Sequence, residues 1–178
     1  NGSPSGLRDW PTLSLEGDQA GARFGTSVAS AGDVNGDGFS DFIVGAPGYT
    51  NTQPHEGRAF VYHGLVTGFS PAASWTADGC VPYADFGHSV ASVGDRNGDG
   101  YSDIIVGAPY YADGQYDGGA AFVYSGSSAG LESAPAWQAE SDRNDAFFGY
   151  SVSSAGDVNG DGLADIIIGS WGEDDYRG

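Results

Sequence analysis

The chain has 178 residues, a length that suits one domain, and its 6 Lys+Arg against 24 Asp+Glu give a formal charge of −18. That balance excludes a phosphate-backbone binder, which needs a basic footprint, so no nucleic-acid partner is expected. One cysteine makes neither an internal disulfide nor a Cys-type zinc site, and no apolar run approaches the roughly 20 residues of a membrane span, so no membrane insertion is expected.

Acidic, Gly-rich chains are often unfolded. Here 13% of residues are aromatic, and apolar residues gather in short runs such as Phe42-Ile43-Val44 and Ile166-Ile167-Ile168, which marks a folded chain. Asn1 opens a polar Gly/Ser/Pro stretch, where no signal peptide is read. The chain then repeats itself with a period of 62. Phe24-Gly25 recurs as Phe86-Gly87 and Phe148-Gly149, and Gly45-Ala46-Pro47 recurs as Gly107-Ala108-Pro109, with Gly169-Ser170-Trp171 as the divergent third copy. Between 24–47 and 86–109, 19 of 24 positions are identical without a gap, so the repeat rather than composition decides the organisation. We divide the chain into repeats 1–62, 63–124 and an incomplete 125–178, all within one segment 1–178.

A fixed period of this size means one supersecondary unit per repeat, stacked on its neighbours. In the second unit four short strands are predicted, near 87–93, 103–107, 119–124 and 135–139. They are β-branched or aromatic and bounded by Gly, Pro, Asp and Asn. A fourth-type strand of the same kind is read around Trp10 to Leu15. No stretch keeps a 3.6 period, so no helix is predicted. Consecutive apolar positions imply strands buried on both faces. The fold class is therefore all-β, with β-propeller blades of four antiparallel strands and about three blades in the chain. The first strand, rich in Ser, Ala and Gly, suits the crowded axis of such a ring. A β-solenoid ranks lower, because its rungs are usually shorter.

Between the first and second strands lies one nine-residue loop in three copies. The candidate metal donors in the first are Asp33, Asn35, Asp37, the Phe39 carbonyl and Asp41. In the second they are Asp95, Asn97, Asp99, the Tyr101 carbonyl and Asp103. In the third they are Asp157, Asn159, Asp161, the Leu163 carbonyl and Asp165. Alternate oxygens with Gly at position 6 resemble the first half of a calcium loop. The closing Glu of an EF-hand is absent: Val44, Val106 and Ile168 stand at position 12. Position 9 is expected to close the site instead. An all-oxygen side-chain set without His or Cys argues against zinc and copper, and flexible geometry favours Ca2+ over Mg2+, giving three Ca2+ sites, one per repeat. Asp-Asn-Gly-Asp-Gly is also ordinary turn chemistry, but three in-phase copies favour metal binding.

Phe-Gly, then Asp-x-Asn-Gly-Asp-Gly-x-x-Asp, then Gly-Ala-Pro resembles the FG-GAP repeat of the integrin α-subunit β-propeller and its bacterial relatives. The resemblance implies a seven-bladed ring, calcium in the loop between the first and second strands of some blades, and a role in adhesion or ligand binding. Fewer than three complete units are present. The expected partners are therefore further blades or a homo-oligomer that closes the ring, besides a protein or glycan ligand. Strand parity puts the long aromatic loops on the face opposite the acidic loops, with Tyr49, Tyr110, Tyr111 and Trp171 as ligand-face candidates, accompanied by His55, Tyr83, Tyr116 and Tyr176.

The leading functional reading is an extracellular, calcium-stabilised adhesion or ligand-binding module that is not an enzyme. A self-assembling structural repeat, or the non-catalytic propeller part of a secreted hydrolase, is the alternative. Phe24, Phe86 and Phe148 are read as blade-to-blade anchors, and Arg96 as a solvated residue able to weaken the second site.

Overall fold

The structure is a computed structural model that describes residues 2–3, 6–7, 14–114 and 116–172. The fourteen strands among the described residues are β1 (Gly2–Ser3), β2 (Gly6–Leu7), β3 (Ser27–Gly32), β4 (Asp41–Ala46), β5 (Arg58–Tyr62), β6 (Gly64–Leu65), β7 (Gly68–Phe69), β8 (Trp75–Asp78), β9 (Ser89–Gly94), β10 (Asp103–Ala108), β11 (Ala120–Tyr124), β12 (Trp137–Glu140), β13 (Phe148–Gly156) and β14 (Asp165–Ser170). The described residues contain no helix, and so none long and apolar enough to cross a membrane. Most of the fourth-type strand expected around Trp10 to Leu15, and Tyr176, lie outside the described residues.

Two four-stranded antiparallel sheets form, in the orders β3-β4-β5-β8 and β9-β10-β11-β12, with a third begun by β13-β14. Each is a propeller blade with its strands in sequence order, as the four-strand reading expects. Two-residue ladders β1-β2 and β6-β7 are small hairpins at in-phase positions, pairing Gly2 with Leu7 and Gly64 with Phe69. Register slips just before the acidic loop in every blade, between Ser30 and Gly32, between Ser92 and Gly94 (opposite Asp103 and Ile104) and between Ser154 and Gly156. A bulge there bends the inner strand and re-aims the loop that follows.

The second strand of a blade, sandwiched between neighbours, is buried along its whole length in β10, as consecutive apolar residues require. The main core fills the seam between the first two blades: Ile43, Ala59 and Val61 face Phe86, Val90, Ile104, Val106, Phe122 and Tyr124. Phe86 is fully buried: its ring centroid lies 5.4 Å from that of Phe122 in its own blade, and its amide donates to the Glu56 carbonyl of the first blade at 3.1 Å.

The repeated motifs meet across the seams. Gly25 N–H donates to the Gly45 carbonyl at 3.0 Å within the first blade, as Gly87 does to Gly107 at 3.1 Å in the second. A Cβ on Gly45 would stand 1.9 Å from the Gly87 carbonyl oxygen, and one on Gly107 would stand 2.0 Å from that of Gly149. The glycine of Gly-Ala-Pro thus lets one blade approach the Phe-Gly of the next. The inner strands are tied together as well: Ser27 Oγ accepts the Val90 amide and Ser89 Oγ accepts the Val152 amide, both at 3.1 Å. The divergent third copy keeps its turn, because Gly172 N–H reaches the Ala146 carbonyl at 3.1 Å just as Gly48 reaches Ala22 at 3.0 Å.

Candidate metal centres

Each acidic loop leaves the inner strand at its bulge and returns as the second strand. Asn-Gly-Asp-Gly folds tightly because glycines at positions 4 and 6 take left-handed φ: 73° and 86° at Gly36 and Gly38, 77° and 91° at Gly98 and Gly100, 78° and 87° at Gly160 and Gly162. The loop amides then converge on the first aspartate. Asp33 Oδ1 accepts Gly36 N–H at 2.7 Å and Asp37 N–H at 3.1 Å, and its Oδ2 accepts Gly38 N–H at 2.8 Å. Asp95 and Asp157 repeat this set with distances within 0.1 Å.

Positions 3 and 5 are held together. Asn35 Nδ2 donates to Asp37 Oδ2 at 3.0 Å, Asn97 to Asp99 at 2.8 Å and Asn159 to Asp161 at 3.0 Å. Position 5 also accepts the amide of position 7, so Phe39, Tyr101 and Leu163 each donate at 2.9 Å. The Phe39 amide and the Asn35 side chain hold Asp37 below the usual carboxylate range. At Asp95 burial pushes upward, but the amides of Gly100, Gly98, Asp99 and Asn97 outweigh it; at Asp157 the Gly162 amide leads the same lowering.

Position 9 is different in kind. Asp41 and Asp103 are only 2% and 0% exposed. Asp41 Oδ2 accepts Val34 N–H at 2.9 Å from its own loop, and Oδ1 accepts Gly64 N–H at 2.8 Å from beyond the third strand. Asp103 makes the same pair with Arg96 at 3.3 Å and Gly126 at 2.9 Å, and Asp165 takes the Val158 amide at 2.9 Å. Burial pushes the Asp41 and Asp103 carboxyls upward, opposed by those amides. Asp41 and Asp103 therefore tie their acidic loops to the chain just beyond the third strand. Arg96 is not simply solvated: it is half-buried, with Nε 3.8 Å from Asp103 Oδ2.

Among the described residues no group of three or more His, Cys, Asp or Glu side chains is gathered as a metal cluster. The carboxylates are turned onto their own amides instead. The donor chemistry still suits a hard divalent ion. A carboxylate has about four lone-pair sites, and the hydrogen bonds above use three on Asp33 and two each on Asp37 and Asp41. Every candidate donor is oxygen, on one turn that places positions 1, 3 and 5 together.

Adjacent loops are joined. Ser102, at position 8 of the second loop, donates its amide to the Asp33 carbonyl at 2.9 Å, and its Oγ accepts the Asp33 amide at 3.2 Å. The Tyr101 ring covers Gly36, where a Cβ would stand 2.6 Å from it. Sequence reading also missed His63, whose Nδ1 lies 3.3 Å from Asn35 Nδ2. The available signal was its place immediately before Gly64, at the end of the third strand.

The ligand-face candidates divide. Tyr49 is buried rather than presented to solvent: the Arg58 guanidinium sits 4.1 Å from its ring centroid, and its hydroxyl donates to Asp18 Oδ2 at 3.3 Å. Tyr111 is half-buried against Phe122. Trp171 is exposed and joins Tyr110 through Phe147, at centroid distances of 5.1 and 5.4 Å, with Tyr150 stacked 6.0 Å away. Phe147 and Tyr150 were not among the expected ligand-face residues.

A family model described as FG-GAP repeat matches residues 24–62, 86–124 and 148–178. Integrin alpha-5 of Xenopus laevis is 36% identical over 178 residues, spanning 92% of this chain and 16% of the relative. Integrin alpha-E of Mus musculus is 37% identical over 164 residues, 88% of this chain and 14% of the relative. Integrin alpha-7 of Homo sapiens is 38% identical over 165 residues, 90% of this chain and 13% of the relative. The chain thus spans at most 16% of the length of these relatives. With the motifs, the four-stranded blades and the family match in register, the chain belongs to the FG-GAP repeat family.

Proposed function

We propose that this chain is a calcium-stabilised FG-GAP propeller segment that serves as an extracellular adhesion or ligand-binding module and not as an enzyme. The observation that carries the reading is the acidic loop, built three times with one hydrogen-bond pattern at a spacing of 62 residues. The side chains of Asp33, Asn35, Asp37 and Asp41, with the Phe39 carbonyl, would hold the first ion, and the in-phase residues the second and third. The ions supply positive charge where each loop concentrates three carboxylates, taking the formal charge from −18 to −12. Loops of modest affinity fill where calcium is near millimolar, which supports an extracellular setting.

Two exposed faces support a role for further blades. Val28 is 66% exposed, whereas its counterparts Val90 and Val152 are 5% and 6% exposed beneath a neighbour. Ile167 is 58% exposed, whereas Ile43 and Ile105 are fully buried. The same strand positions that make seams inside the chain thus stand open on its two flanks. Another blade of the same kind, from a longer chain or a second copy, fits both. The exposed aromatic group around Trp171 is the surface offered to a protein or glycan.

Titration calorimetry with calcium tests the metal reading, with uptake of three ions expected and absence of heat contradicting it. Light scattering at millimolar calcium tests the flanks: association is expected, and a monomer at high concentration overturns self-association. A glycan and matrix-protein array at fixed calcium, run with a Trp171→Ala control, tests the aromatic surface. Binding that survives the substitution places the ligand elsewhere.

A further inference from the structure

We infer that His63 is a positioning residue for the first metal loop and makes that loop the tightest of the three divalent-cation sites. The inference rests on the calcium reading above and adds an order among the sites. An amide side chain that ligates a cation presents its oxygen and must direct its NH2 elsewhere. In the second and third loops Nδ2 of Asn97 and Asn159 finds its acceptor on Asp99 and Asp161, inside the donor set itself. In the first loop Asn35 Nδ2 has a second acceptor outside that set, His63 Nδ1 at 3.3 Å. The imidazole can hold the NH2 group while Asn35 Oδ1 and Asp37 Oδ2 both turn to the ion.

The ring is well placed for this. His63 follows β5 directly, and the next residue, Gly64, donates its amide to Asp41 Oδ1, so backbone and loop are clamped together. The His63 carbonyl is fixed by the Ser70 amide at 2.9 Å. On its far side Nε2 is buried with no hydrogen-bond partner among the described residues, and the ring lies against Gly130, where a Cβ would stand 3.5 Å from it. With Nδ1 accepting from Asn35, Nε2 carries the proton, so the tautomer is set by the loop. Asn35 is half-buried beside this ring, while Asn97 and Asn159 are exposed. The in-phase residue of the second repeat is Ser125, too short to take the imidazole's place. The second loop also holds Arg96 near Asp103, which opposes a cation there.

Partners outside the donor set typically tune metal affinity by about 10–100-fold. The test is calcium calorimetry on the 178-residue chain and on His63→Ser, His63→Asn and Ser125→His, with melts in chelator as a check on folding. Wild type is expected to bind three ions with one tighter step. His63→Ser weakens that step by about tenfold or more and leaves two sites unchanged, while His63→Asn, which keeps an acceptor, restores most of it. Ser125→His is expected to strengthen a second step. If wild type binds three ions and His63→Ser gives a superimposable isotherm, the positioning role is refuted and the calcium reading stands. If wild type binds none, both fall.

Discussion

The seam between the first and second blades and the seam between the second and third are built from the same repeat and share their backbone contacts, yet they differ in the side chains they bury. Near the axis they match: Gly45 meets Gly87 as Gly107 meets Gly149, and Ser27 and Ser89 each accept an amide of the next inner strand. Farther out the backbone still matches, with the Phe86 and Phe148 amides donating to the Glu56 and Gly118 carbonyls at 3.1 and 3.0 Å, but the side chains diverge. Phe86 is fully buried, whereas Phe148 is half-exposed. Trp75 donates its indole N–H to the Glu132 carbonyl at 2.9 Å, whereas Trp137 at the same repeat position is exposed. Ser102 bridges the first two acidic loops, and its counterpart Ala164 has no hydroxyl to do so. The motif residues set how closely blades approach at the axis. Residues outside the motif, and the presence of a neighbour, decide how much each seam buries.

The largest break in that comparison should come from the anchors. Phe86→Ala is expected to cost about 3–5 kcal/mol by denaturant unfolding, and Phe148→Ala about 1–3 kcal/mol because less of its ring is removed from water. Equal losses would mean the two seams are energetically alike. Gly45→Ala and Gly107→Ala should instead be nearly equal, each at or above about 3 kcal/mol, since the added methyl meets a backbone carbonyl that cannot swing away. A tolerated alanine at either position would show that the blades can spread at the axis.

Asp103→Asn, melted in chelator, isolates the clamp from any ion. An amide offers one acceptor oxygen where the carboxylate serves both Gly126 and Arg96 amides, so one buried N–H loses its partner, at about 1–3 kcal/mol. No change in chelator would reduce position 9 to a ligand alone. The smallest effect is expected from Ser102→Ala, about 0.5–1.5 kcal/mol, confined to the first seam; Ala164→Ser should leave the first seam untouched and stabilise the second if the bridge forms there.

Much of this was legible in the sequence because a period of 62 reports which residues do the same job. The blades, the four strands of a unit, the acidic turns and the Phe-Gly anchors all recur in phase. What does not recur was hidden. Glu56 is fully buried, its carboxylate collecting the amides of Asn51, Thr52 and Gln53, but the in-phase residue is Gly118, so the repeat gave no hint of it. Tyr49 reads as a rim aromatic until Arg58 is placed over its ring; the second repeat has Ala120 there. The reach of Asp41 to Gly64, 23 residues away, depends on where the third strand ends and not on any local pattern.

The most direct test of the central claim, that divalent ions held in the three acidic turns keep the blades together, is a pair of thermal melts of this chain. One is run in chelator and one in millimolar calcium, with calorimetric stoichiometry alongside. The claim predicts uptake of three ions and a clear upward shift in Tm, since each site at about 100 times its Kd adds roughly 2.7 kcal/mol. Superimposed melts with no heat of binding would contradict it.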